Sequence, residues 1–137
     1  MTELILLIPT GFPLRLAIWN RDVVAFNNEY DSYVYDNIDA VYVAAFGSKY
    51  MLDKLLLKSA TANQYVSPEG YTLLDWAVYY RNNSLIQSYI AQVMLATHDG
   101  KTCIHYAAIS NNYIALSAII TSNPSIKTSI DTYGRSW

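Results

Sequence analysis

Residues 99–112 read DGKTCIHYAAISNN, and three interpretations compete for them. Gly100-Lys101-Thr102 has the look of the end of a phosphate-binding loop, Cys103 and His105 that of a ligand or catalytic pair, and the whole stretch that of a structural helix start. Counting removes the first. A loop of the form GxxxxGK[ST] needs a glycine five positions before Gly100, and that position holds Leu95. Metal binding fares little better, because Cys103, His105 and His98 are the only Cys and His in the chain and no second cluster stands at zinc-like spacing. Residues two apart on a helix point about 200° away from one another around its axis, so Cys103 and His105 make a poor nucleophile and base. The structural reading remains.

The same arrangement recurs upstream. Gly11 opens GFPLRLAIWNRDVVAFNNEY, Asn37 opens NIDAVYVAAFGSKYMLDKLLL, Gly70 opens GYTLLDWAVYYRNNSLIQSYI and Gly100 opens GKTCIHYAAISNNYIALSAII. Their first-helix alanines, Ala17, Ala44, Ala77 and Ala107, are spaced 27, 33 and 30 residues, a period of about thirty. Each unit reads as two helices. A cap leads into a short apolar helix whose small side chains permit close helix contact. A polar break follows (Arg21-Asp22, Ser48-Lys49, Arg81-Asn82, Asn111-Asn112), and then a second helix with apolar residues at helical spacing, such as Leu52, Leu55 and Leu56, or Leu85, Ile86, Tyr89 and Ile90. The predicted core comprises Leu14, Ala17, Val41, Ala44, Leu55, Leu74, Ala77, Ile90, Ile104, Ala107 and Ile119.

These units resemble the ankyrin repeat family. Gly100, Thr102, His105, Ala107 and Ala108 fall where that family has G-x-T-P-L-H-x-A-A, with Cys103 for the proline and Ile104 for the leucine. In the third unit Gly70, Thr72, Leu74 and Ala77 match, and Asp75 takes the histidine place. The first has Pro13, Leu14 and Ala17 with Arg15 there; the second keeps Ala44 and Ala45 but has Asn37 for the glycine and Tyr42 for the histidine. The resemblance covers about residues 9–120. It implies an all-α fold, an ankyrin-repeat solenoid of stacked antiparallel helix pairs joined by turns or short hairpins near Gly11, Asn37, Gly70 and Gly100. The chain is then a single domain over residues 1–137, with repeats at about 9–36, 37–66, 67–96 and 97–130. Residues 131–137, DTYGRSW, read as the opening of a further repeat, truncated or degenerate. Residues 4–8 are expected to be a remnant helix covering the first repeat. The resemblance also gives His105 a structural duty, tying the helix start to neighbouring backbone groups, with Thr102 as the cap and Cys103 as core filler.

Composition bounds the function. With 53% hydrophobic and 15% charged residues the 137-residue chain has the makings of a folded core. A formal charge of -2 provides no basic field for nucleic acid or anionic lipid. The apolar run at residues 4–8 is too short to span a bilayer and lacks a signal peptide's basic start. The single Cys103 makes no internal disulfide and suits a reducing compartment. Localisation is expected to be intracellular and cytoplasmic, in a host's cytoplasm if the source is a pathogen. No acid–base pair or partnered nucleophile can be assembled, so the expectation is a non-enzyme without cofactor, metal or small-molecule substrate, monomeric, contacting neither nucleic acid nor membrane.

What the resemblance implies instead is a module that binds a protein partner through the concave face and hairpin tips of the array. The alternative is a substrate-recruiting segment of a larger enzyme or effector whose catalytic domain lies outside this chain. In the ankyrin register the residues after the Ala-Ala position end the first helix on the concave side. Here they are Trp19, Phe46, Tyr79 with Tyr80, and Ile109. Tip candidates are Tyr35, Asp36 and Ile38 in the second unit, Glu69 and Tyr71 in the third, and His98, Asp99 and Lys101 in the fourth. Trp and Tyr at exposed positions are what binding hot spots use, whereas the same residues packed on the next repeat would be core.

Overall fold

The computed structural model describes Leu4, residues 6–92 and residues 101–124. Among these the regular elements are all helical: α1 (Pro13–Trp19), α2 (Val23–Tyr30), α3 (Asn37–Phe46), α4 (Lys49–Lys58), α5 (Leu73–Tyr79), a 3-10 helix (Asn83–Gln92), α6 (Cys103–Ile109) and α7 (Tyr113–Ser122). The helices meet in pairs, α1 with α2, α3 with α4, α5 with the 3-10 helix and α6 with α7. The first members also meet in series, α1 on α3, α3 on α5 and α5 on α6. No helix among the described residues is long and apolar enough to cross a membrane.

Helix starts follow from side-chain caps. Thr72 Oγ1 accepts the Asp75 N–H (3.1 Å) while Asp75 Oδ2 accepts the Thr72 N–H (2.9 Å), a reciprocal capping box. His105 does the same work on α6, its Nδ1 accepting the Thr102 N–H at 3.0 Å. Asp75 and His105 therefore share a structural duty at the same place in their helices. In α3 the box is Asp36 with Asp39, one turn earlier, which makes that helix ten residues long where α1, α5 and α6 have seven. Tyr42, in the histidine place by register, is thereby released from capping.

Helix ends repeat more closely still. After α1, α5 and α6 the chain makes the same turn. The Asp22, Asn82 and Asn112 amides donate to the Ala17, Ala77 and Ala107 carbonyls, each at 2.8 Å, and the preceding amides of Arg21, Arg81 and Asn111 donate to Ile18, Val78 and Ala108. This is the Schellman pattern, and it requires its middle residue in the left-handed region. Arg21, Arg81 and Asn111 sit there, at φ 53°, 62° and 56°. A side chain on Cβ is strained in that conformation. Arg81→Gly is therefore expected to raise stability by about 0.5–1 kcal/mol. The readout is a higher urea midpoint at unchanged slope, and a lowered midpoint would count against it. The second unit closes differently, with only Gly47 and Ser48 between α3 and α4. A Cβ at Gly47 would come 2.9 Å from the Val43 Cα, so only glycine fits this tight passage.

The core forms one cluster. Ten of the eleven predicted core residues are buried in it, and Ile90 is half-buried against it. The second helix of the third unit, expected from its apolar spacing, takes 3-10 form, unusually long at ten residues. At three residues per turn Ile86, Tyr89 and Gln92 eclipse one another, and all three are buried. The steeper rise gives the segment about 5 Å more reach than α-helix would. Its last residue, Gln92, accepts the Leu74 N–H through Oε1 and donates through Nε2 to the Tyr65 carbonyl, both at 3.2 Å.

Of the four expected turns, Gly11 (φ 83°) and Gly70 (φ 96°) occupy positive-φ positions. The second lies in a short hairpin in which Val66 bridges Thr72 and the Ser67 amide donates to the Tyr71 carbonyl at 2.9 Å. Asn37 begins α3 directly behind its cap, and Gly100 lies outside the described residues. The expected amino-terminal remnant helix is not formed over residues 6–9, which run without regular structure.

Candidate partner-binding surface

Each first helix ends on the residue the register singled out: Trp19, Phe46, Tyr79 and Ile109. Three of these ends are joined by their rings. Trp19 and Phe46 lie 4.5 Å apart between centroids, Phe46 and Tyr80 4.9 Å, and Tyr80 and Tyr79 5.3 Å. Tyr42, one turn before Phe46, stands 6.4 Å from both Trp19 and Phe46. The result is a continuous aromatic ledge across the ends of α1, α3 and α5. Trp19, Phe46, Tyr79 and Tyr80 are each half-buried, packed against the core on one side and accessible on the other. They are neither sealed in the interior nor lining a bare groove. A surface pocket of about 200 Å³ is lined by Trp19, Phe46 and Tyr80 together with Arg21, Arg81 and Asn82. Ile109 is exposed.

Part of the ledge is covered by the chain's own beginning. Tyr80 Oη donates to the Leu4 carbonyl at 2.6 Å and accepts the Leu6 N–H at 2.8 Å; Tyr42 Oη donates to the Leu7 carbonyl at 2.7 Å. The Leu4 side chain is fully buried. Burial pushes the Tyr80 and Tyr42 hydroxyls above the usual phenol range. Both therefore hold their protons and donate throughout the neutral range. Neither Tyr42 nor residues 4–8 were among the sequence-derived contact candidates. The only available signal was a tyrosine standing in a place that the resemblance gives to histidine.

The tips divide. Asp36, Ile38 and Glu69 are exposed. Asp36 also serves as the α3 cap, accepting the Ile38 N–H at 3.0 Å, with the Arg15 guanidinium 3.9 Å away. Tyr35 is half-buried against the core rather than projecting from it, and burial, aided by Asp39 and Asp36, pushes its hydroxyl up to about 12. Tyr71 is a correction. Expected at an exposed tip, it is 1% accessible, because the hairpin turns its ring inward to meet Trp76 (5.6 Å) and Tyr106 (6.1 Å) edge-on. Lys101 is half-buried, and His98 and Asp99 lie outside the described residues.

Cys103, Arg15 and Asp39 stand in buried or paired surroundings. Cys103 is buried, and burial together with the nearby Asp75 carboxyl pushes its thiol far above the usual range. Arg15 Nε donates to Asp39 Oδ1 at 2.7 Å, and its guanidinium lies 4.5 Å over the Phe12 ring. Asp39 is nonetheless pushed upward, since burial outweighs the Arg15 contact. Among the described residues no group of three His, Cys, Asp or Glu stands close enough to hold a metal ion. No protein-family model and no curated protein matches this sequence.

Proposed function

We propose that the chain is a non-catalytic protein-interaction module, built as an ankyrin-like solenoid of stacked antiparallel helix pairs, that holds a protein partner along its concave face and hairpin tips. The observation that carries this reading is the aromatic ledge, in which rings at the ends of α1, α3 and α5 are presented side by side. Large, stiff aromatic surfaces with one accessible side supply contact area at low entropic cost, and they dominate binding energetics elsewhere. The solenoid reading draws support from the thrice-repeated turn and from the serial contact of the first helices. Exposed Ile38, Glu69 and Ile109 extend the surface beyond the ledge.

The test is affinity capture with quantitative mass spectrometry, run in parallel on the wild type and on Tyr79→Ala. Tyr79 is chosen because it is half-buried at the accessible end of the row. A true partner is expected to be depleted on Tyr79→Ala and, once purified, to bind it about 1–3 kcal/mol more weakly at a nearly unchanged melting temperature. Retention of every captured protein at wild-type level by a folded Tyr79→Ala/Ile109→Ala double variant would overturn the reading.

A further inference from the structure

The contacts that Leu4, Leu6 and Leu7 make with the ledge are of an unusual kind. Two tyrosine hydroxyls make three hydrogen bonds, and all three go to main-chain atoms: the Leu4 carbonyl, the Leu6 amide and the Leu7 carbonyl. Main-chain contacts give affinity without regard to side-chain identity, while a pocket for one anchoring side chain sets register. Leu4 is that anchor, fully buried, whereas Leu7 and Ile8 are 77% and 59% accessible. The partners are distant in sequence, 74 and 76 residues for Tyr80 and 35 for Tyr42. The segment thus lies on the ledge as a separate peptide would, without regular structure of its own over residues 6–9.

We propose that the ledge is a receptor for the main chain of an apolar peptide with one buried leucine-type anchor, and that Leu4 with residues 6–8 is its built-in occupant. A partner presenting such a peptide competes with this strap. The inference rests on the interaction-module reading and specifies the chemistry of the partner. Tethering gives the strap an effective concentration in the millimolar range, so a free peptide of equal intrinsic affinity displaces it only at comparable concentration. Weakening the strap without touching the ledge exposes the receptor. Leu4→Asp does so, because it sets a carboxylate at a fully buried apolar site.

The experiment uses the full chain and, as probe, a fluorescent synthetic peptide of residues 1–9, MTELILLIP, followed by anisotropy. The wild type is expected to show no saturation below the millimolar range, and Leu4→Asp to bind at least tenfold more tightly. Adding Tyr80→Phe to Leu4→Asp is expected to cost at least fivefold of that binding. A folded Leu4→Asp chain that binds the peptide no better than wild type overturns the proposal. Should Leu4→Asp fail to fold, the Tyr42→Phe/Tyr80→Phe variant decides, since it keeps both rings and removes only the hydroxyls. Hydrogen exchange at the Leu6 amide is expected to accelerate at least tenfold while helical amides keep their protection; unchanged exchange there is equally fatal. If the peptide results fail while Tyr79→Ala still loses a captured partner, the strap receptor falls and the interaction module stands.

Discussion

The stability of this chain is expected to fall as pH rises from about 4 to about 8, with Asp75→Asn removing most of that dependence. Asp75 is fully buried in α5, its Oδ1 has no hydrogen-bond partner among the described residues, and burial pushes its carboxyl up to about 8 against the opposing pull of the two Thr72 contacts. The folded state therefore keeps a proton that the unfolded chain releases near pH 4. Between these values the native state binds more protons than the unfolded one, so stability declines with pH. The contribution is complete below the unfolded value and gone once the pH has passed about 8. A shift of this size corresponds to a loss on the order of 5 kcal/mol, a large share of a small domain's total. Asp39, also raised by burial, adds a change of the same sign. Asp75→Asn retains an oxygen for the Thr72 amide but has nothing to titrate. Urea midpoints taken from pH 5 to pH 8.5 should slope downward for the wild type and lie nearly flat for the variant. Parallel slopes would mean that the carboxylate is ionised in the fold.

Asn82→Leu is expected to be the most damaging polar substitution. Asn82 is buried in the turn after α5, and its Nδ2 donates to three carbonyls at the end of α3: Val43 (3.4 Å), Ala44 (3.0 Å) and Gly47 (2.9 Å). The last turn of a helix leaves carbonyls without intrahelical donors; Val43 keeps the Gly47 amide at 2.8 Å, and the Ala44 and Gly47 carbonyls are served by this one side chain from the next helix pair. Leucine fills similar volume but donates nothing. Buried acceptors left unserved cost about 1–3 kcal/mol apiece, partly relieved by water or relaxation, so a net loss of about 3 kcal/mol is expected. Asn112 repeats the arrangement one unit on, donating to the Val78 carbonyl at 3.0 Å and to Asn83 Oδ1 at 2.8 Å. Asn112→Leu also removes the α7 cap, in which Asn112 Oδ1 accepts the Ala115 N–H at 3.2 Å, and should likewise lower the urea midpoint. Equal midpoints for wild type and Asn82→Leu in chemical denaturation would refute this account.

Much of this was legible in the sequence, and the reasons are local. The polar breaks marked the turns because second-helix caps draw on a short list of side chains, and Arg81-Asn82 and Asn111-Asn112 stand thirty residues apart at the same turn. Helix ends at Trp19, Phe46, Tyr79 and Ile109 followed from the alanine register. What escaped depends on partners remote in the chain. Tyr71 looked like a tip residue because it adjoins the turn glycine, but its rotation inward is decided by Trp76 and Tyr106. The apolar spacing of Leu85, Ile86, Tyr89 and Ile90 favours an α-helix, whereas the 3-10 form aligns Ile86 and Tyr89 with Gln92, whose partners Leu74 and Tyr65 are remote in the chain. The extra turn of α3 depends on Asp36 and Asp39 supplying a second capping box ahead of the expected one. The apolar run at residues 4–8 suggested a covering segment, but not its seat on Tyr42 and Tyr80, since the contacts that hold Leu4, Leu6 and Leu7 there are main-chain.

The attachment of the strap to Tyr80 also has a consequence in time. Leu4 leaves the ribosome 76 residues ahead of the tyrosine that receives its carbonyl. At about 5–20 residues per second, that interval lasts roughly 4–15 s. Throughout it a leucine-rich segment is outside the ribosome before its seat has emerged, available to any chaperone or nascent neighbour that favours apolar peptides. Docking is thus a late event in the birth of the molecule, and closure of the ledge waits on the emergence of its third helix end.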